Sequence, residues 1–142
     1  MQYIINGLKE IIMTQDKTLR VQTVLNEELA GNELAPLASF ELADAAVQGQ
    51  QRGEIVLQGV IAGPSAAALS RFLETVLHYP ATHWTIDMKN LPVLSLGGLY
   101  HLARFVKKLH SRGMVLEVCG IHRHVYMTMK NLNLVYLFAW AD

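Results

Sequence analysis

The 142-residue chain has the length of one domain with one core. It is 51% hydrophobic and 17% charged, against about 25% charged in ordinary globular domains, and its twelve Lys and Arg cancel its twelve Asp and Glu. That balance removes the electrostatic case for nucleic acid or an anionic membrane, and a single cysteine, Cys119, excludes an internal disulfide and suits a reducing compartment.

Residues 1–38 read as an N-terminal extension to a domain at 39–142. Ile4, Ile5, Leu8, Ile11 and Ile12 recur at helical spacing and predict a short amphipathic helix. Thr14 is a candidate N-cap for a second helix, with Leu19, Val24, Leu25 and Leu29 as an imperfect apolar stripe. Val21, Thr23 and Val24 keep a strand over 19–25 open as the alternative. Gly31-Asn32 and Pro36 end the segment, which is expected to contact a second copy of the chain or to form a lid over the sheet.

Strands are predicted over 40–47 and 54–61. The polar connector Gly49-Gln50-Gln51-Arg52-Gly53 joins them as a hairpin turn. Gly63-Pro64-Ser65 opens a helix with proline in the first turn, where its missing N–H costs nothing. Leu69, Phe72, Leu73, Val76 and Leu77 give that helix its apolar face, and Pro80 ends it. A strand over 84–88 then leads past Pro92 into Ser95-Leu96-Gly97-Gly98 and an amphipathic helix. Leu99, Leu102, Ala103, Val106 and Leu109 form its buried face, while His101, Arg104, Lys107, Lys108 and Arg112 are assigned to its outer side. The helix stops at Gly113, and a strand over 114–118 follows. A helix over 122–132 and a short edge strand within 134–140 complete the order. That order predicts an α/β fold: a mixed, mostly parallel sheet opened by one hairpin, with helices packed on it through right-handed crossovers.

The common catalytic motifs are missing: there is no GxSxG, P-loop lysine, GxGxxG or CxxC. His122-Arg123-His124 lacks further ligands and reads as a solvated helix start, so no metal or other cofactor is expected. Asp87 is expected at the end of its strand, held by backbone donors and not acting as a base. Cys119 is expected to be a buried, inert thiol, and Arg104, Lys107, Lys108 and Arg112 a solvated basic face. Ser95 is either the cap of the central helix or, with the amides that follow it, a surface read by a partner.

Four stretches carry a family resemblance: EIVLQGVI at 54–61, WTIDMKNLPVLSLGGL at 84–99, KLHSRGMVLEVCG at 108–120 and MKNLNLVYLF at 129–138. In order and spacing they resemble the STAS domain, the fold of bacterial anti-sigma factor antagonists and of the cytoplasmic tails of sulfate transporters. The resemblance covers about residues 39–140 and implies a STAS-like single domain. In that family an Asp-Ser-x-Gly loop supplies a serine or threonine that a partner kinase phosphorylates. Here the loop reads Ser95-Leu96-Gly97-Gly98: Leu96 falls on the acceptor position and has no hydroxyl, and Ser95 falls on the aspartate. Phosphorylation at the usual place is therefore not expected, and Ser95, one residue early, is the alternative acceptor.

The resemblance implies a non-enzymatic, partner-switching module in bacterial signalling. Its partner would be an anti-sigma factor, a kinase or a related signalling protein, met through Ser95, Leu96, Gly97, Gly98 and His101. The first alternative is an accessory subunit of a membrane lipid or anion transporter; the second is a ligand-binding or enzymatic module using the crevice at the sheet edge. No apolar run reaches the roughly 20 residues of a membrane span, and the N-terminus lacks a basic n-region before an apolar stretch. No direct membrane insertion and no nucleic acid are expected, and the predicted location is the cytoplasm.

Overall fold

The computed structural model describes residues 2–5, 8–13, 18–23, 37–44 and 50–141, with the first three stretches and Asp44 described by backbone alone. The chain opens with four strands, β1 (Gln2–Ile5), β2 (Leu8–Met13), β3 (Thr18–Thr23) and β4 (Ala38–Asp44). β5 (Gln51–Leu57), β6 (Val60–Ile61) and helix α1 (Pro64–Val76) follow. Then come β7 (His83–Met88), β8 (Val93–Leu94), α2 (Leu96–Ser111), β9 (Leu116–Ile121) and α3 (Arg123–Asn131). A 3-10 turn at Val135–Leu137 precedes the edge strand β10 (Ala139–Trp140).

The main sheet runs β1-β2-β3-β4-β5-β7-β9-β10. From β5 to β10 neighbouring strands are parallel, and β4 with β5 makes the antiparallel opening pair. That part is the expected α/β arrangement. The N-terminal stretch is different. Where helical spacing predicts a helix over 4–12, the backbone is two antiparallel strands, and β3 takes the strand alternative left open at 19–25. The expected second helix finds no place across 18–23, and its Thr14 cap, with residues 24–36, lies outside the described residues. These three strands continue the sheet in its own plane, β3 pairing with β4, so they are no lid over it.

The physical reason is composition. Tyr3, Ile4, Ile5, Ile11, Ile12 and Val21 are aromatic or β-branched, types that lose side-chain freedom in a helix and fit a pleated surface. Ile5 pairs with Leu8 across a two-residue connection whose sequence, Asn6-Gly7, is a strong short hairpin signal.

Alternation places the core under one face of the sheet. Phe40, Leu42, Ile55, Leu57, Trp84, Ile86, Leu116 and Val118 are buried, while Glu41, Glu54, Thr85 and Glu117 form a cross-strand row on the other, accessible face. Trp84 anchors the buried side: its ring stacks on Phe40 at 5.6 Å, meets Phe105 of α2 edge-on at 5.6 Å, and donates from Nε1 to the Ala81 carbonyl at 3.1 Å. α1 and α2 pack side by side over this layer through Leu69, Phe72, Leu73, Leu102, Val106 and Leu109, each worth about 1.5–3 kcal/mol when fully buried.

The predicted strand over 54–61 is broken. β5 ends at Leu57, the chain turns through Gly59 at φ +79°, and β6 resumes for two residues. A side chain at Gly59 would meet strained backbone and the Leu37 Cδ2 atom at 2.6 Å. The turn carries Val60 and Ile61 out of the main sheet and over to β8. The predicted turn residues Gln51, Arg52 and Gly53 belong to β5, since Asp44 pairs with Gln51.

Candidate functional site

β6 and β8 pair in parallel, Val60 with Val93 and Ile61 with Leu94, and form a small second sheet beyond the ends of β5 and β7. The Gly59 N–H donates to the Asn90 carbonyl and the Ser95 N–H to the Ile61 carbonyl, at 2.9 and 2.8 Å. This zips together the two loops that leave the carboxyl ends of parallel strands, the edge where α/β sheets place their binding residues. Ser95 follows immediately. Its backbone is extended, and its hydroxyl oxygen accepts the Gly98 N–H at 3.1 Å, which makes it the N-cap of α2. Leu99 bonds back to the Ser95 carbonyl at 2.9 Å and completes the first turn.

The two glycines of the loop have different reasons. Gly98 is buried against the small sheet, and a Cβ there would lie 2.6 Å from Leu94 Cδ1 and 3.5 Å from Ile61 Cγ2. Gly97 is exposed and has nothing closer than the Ser95 oxygen, 3.9 Å away. Gly98 therefore lets the helix start close to the β6–β8 pair, while Gly97 leaves the outer surface flat.

What faces outward at this edge is apolar. Leu96 is 65% exposed and Tyr100, one turn further along α2, 59%; Val60 and Val93, cross-strand partners, are 55% and 44% exposed. Leu96 and Tyr100 share a helix face at i,i+4 spacing. Exposed apolar residues scattered singly need no explanation, but four gathered around one helix start do. The sequence points to Leu96; it does not point to Val60 and Val93, which a two-residue pairing brings there.

The predicted site residues thus divide. Ser95, Leu96, Gly97 and Gly98 form one edge. His101 is half-buried between α1 and α2, beside Leu73 and Phe105, rather than on the outer side of the helix, and its ring meets that of Tyr100 edge-on at 5.6 Å. The basic residues of α2 are also less uniform than a solvated face. Arg104 lies over the Tyr100 ring at 5.8 Å, Lys108 is half-buried between the same two helices, and Arg112 donates from Nη1 to the Leu77 carbonyl at the end of α1 at 2.8 Å.

Asp87 sits near the end of β7, accepts the Lys89 N–H at 3.0 Å and pairs with the Lys89 ammonium at 3.5 Å, the structural arrangement expected for it. His122 caps α3 by accepting the His124 N–H at 3.1 Å on Nδ1. Among the described residues no three His, Cys, Asp or Glu side chains converge as metal ligands. Cys119 corrects an expectation: it is exposed, on the accessible face of the sheet with Glu117, and not buried. Partial desolvation of the sulfur nevertheless pushes its pKa up; Thr85 counters with a hydrogen bond, and the Glu117, Glu54 and Asp87 carboxylates add to the rise. A thiol that holds its proton is a poor nucleophile, so the rise disfavours reactivity at Cys119.

The family profile for the STAS domain matches residues 46–140, well over half of the chain. The chain belongs to the STAS domain family, and the parallel β5–β10 layer with helices over one face is the corresponding fold. A comparison with curated proteins finds no match. No helix among the described residues is long and apolar enough to cross a membrane.

Proposed function

We propose that the chain is a non-enzymatic, cytoplasmic protein-binding module of bacterial signalling. It is of the anti-sigma factor antagonist, partner-switching type, and it works without phosphorylation at the family's usual position. One observation carries this reading: the edge at the start of α2 is an apolar surface built from Val60, Val93, Leu96 and Tyr100. Neither Leu96 nor Gly97 offers a hydroxyl, and the Ser95 oxygen is engaged in the helix cap. A surface of this kind favours a contact driven by burial, which a phosphate added there would oppose by bulk and desolvation. The partner class is a kinase-type anti-sigma factor or a related signalling protein.

Capture from the source cell with the tagged chain, read by mass spectrometry, tests this. The wild type is expected to retain one signalling protein, and Leu96→Asp to lose it while keeping an unchanged circular dichroism spectrum. Retention undiminished in Leu96→Asp removes the edge from the interface. A permease or transport ATPase held through the same residues would make the chain a transporter subunit instead.

A second copy is the proposed partner of the N-terminal strands, because β1 stands at an edge of the sheet and unpaired edges recruit other strands. Sedimentation velocity compares the full chain with one beginning at Leu37. Conversion of a dimer to a monomer is expected, and an unchanged state takes β1–β3 out of the contact.

A further inference from the structure

Helix α3 is capped by a base. His122 stands at its N-cap with an extended backbone, and the ring Nδ1 accepts the His124 N–H at 3.1 Å. An accepting nitrogen carries no proton, so the ring proton is assigned to Nε2. The residues that usually fill an N-cap are serine, threonine, asparagine and aspartate, and none of them changes its protonation near neutral pH. Histidine side chains do so between about pH 5 and 8, and an imidazolium donates from both nitrogens. Protonation therefore turns this acceptor into a donor aimed at another donor.

The neighbours offer a charged ring no replacement. The first turn of α3 holds no Asp or Glu; Arg123 and His124 adjoin the cap, and the two histidine ring centroids lie 4.9 Å apart. The amides of a helix start add partial positive charge of their own. On β7, the His122 N–H donates to the Met88 carbonyl at 3.0 Å, and the charges beside it, Asp87 and Lys89, pair with each other at 3.5 Å. α3 also packs on β8 and on the 3-10 turn, whose Val93, Leu94, Val135, Tyr136 and Leu137 carry no charge near neutral pH. Deeper in the helix, Val125 and Met129 are buried and hold its body in the core.

We propose that His122 is a proton-operated clasp on α3. Neutral, it closes the first turn. Charged, it releases the His124 N–H and sets a cation beside Arg123 at the positive end of the helix, and the first turn opens. The body of the helix stays packed through Val125 and Met129, so the response is local. Because α3 packs on β8, the loosened turn adjoins the strand that carries Val93. The clasp is a property of the chain alone and does not depend on which partner it meets.

Amide hydrogen exchange on the full chain, followed by NMR and expressed as protection factors, tests the clasp. The Tyr126 N–H, which donates to the His122 carbonyl at 3.0 Å, reports the first turn, and the Val106 N–H inside α2 reports the core. Between pH 8 and pH 5 protection at Tyr126 is expected to fall about threefold or more, the scale of losing one cap, with Val106 unchanged. His122→Asn supplies an acceptor that does not titrate and should hold the Tyr126 protection level across that range. His122→Ala should be low at both ends, and His124→Gln, which keeps the cap, should retain the fall. The proposal is overturned by a flat response in the wild type, by an equal fall in His122→Asn or by loss of the fall in His124→Gln. A matching fall at Val106 would also overturn it, since that marks acid unfolding of the whole domain.

Discussion

Gly98 decides how α2 meets the small sheet. Because a Cβ at this position would stand 2.6 Å from Leu94 Cδ1, Gly98→Ala must displace the Leu94 side chain that packs on the helix start. The expected cost is about 1–3 kcal/mol, the range for overpacking a tight contact. Gly97→Ala meets only open space and removes a flexible residue from a helix, so it should be neutral or stabilise by up to about 1 kcal/mol. Urea denaturation of the two variants side by side distinguishes them, and equal midpoints would show that the close approach at Gly98 does not matter. The tetrapeptide draws attention in the sequence, but nothing in it separates one glycine from the other. The difference comes from Leu94 and Ile61, which only the fold brings near. Cys119 was more legible than its apolar surroundings suggest: in a strand it shares a face with Glu117 two residues earlier, and Glu117 needs water. That parity gives the accessible face directly.

At the scale of elements, the unit from β7 to β9 was readable because each piece carries its own signal. β7 alternates, α2 has a continuous apolar stripe, and Gly113 stops the helix with its backbone at φ +77°. β6 and β8 were not readable: two residues are too few for a period, and their pairing spans more than thirty positions of sequence. β1 and β2 depart from the predicted helix for a different reason, while β3 takes the strand alternative. Adjacent pairs such as Ile4-Ile5 and Ile11-Ile12 satisfy helical spacing by accident, whereas residue type and Asn6-Gly7 favour a hairpin. The α2 cap gives a prediction at this scale. Ser95→Ala removes the oxygen that accepts the Gly98 N–H and should cost about 1 kcal/mol of stability. It leaves the apolar surface in place, so partner capture should persist. Loss of capture at unchanged stability would show that the hydroxyl itself is recognised.

At the scale of the whole molecule, one sheet separates two surfaces. Helices cover the face that buries Phe40, Trp84 and Ile86; the opposite face shows Glu41, Glu54 and Glu117 in register. The composition could not reveal this division, since equal numbers of charges sum to zero however they are arranged. The apolar edge at the start of α2 stands where the helical layer meets the carboxyl ends of the parallel strands, and the proposed function rests on it. Its most direct test is site-specific photocrosslinking in the source cell. A photoreactive benzoylphenylalanine replaces Leu96 in one variant, Glu54 on the open sheet face in a second, and Lys130 on α3 in a third. A single discrete adduct from position 96, with none from position 54 or 130, is the predicted result. Adducts from 54 or 130 and none from 96 would contradict the account.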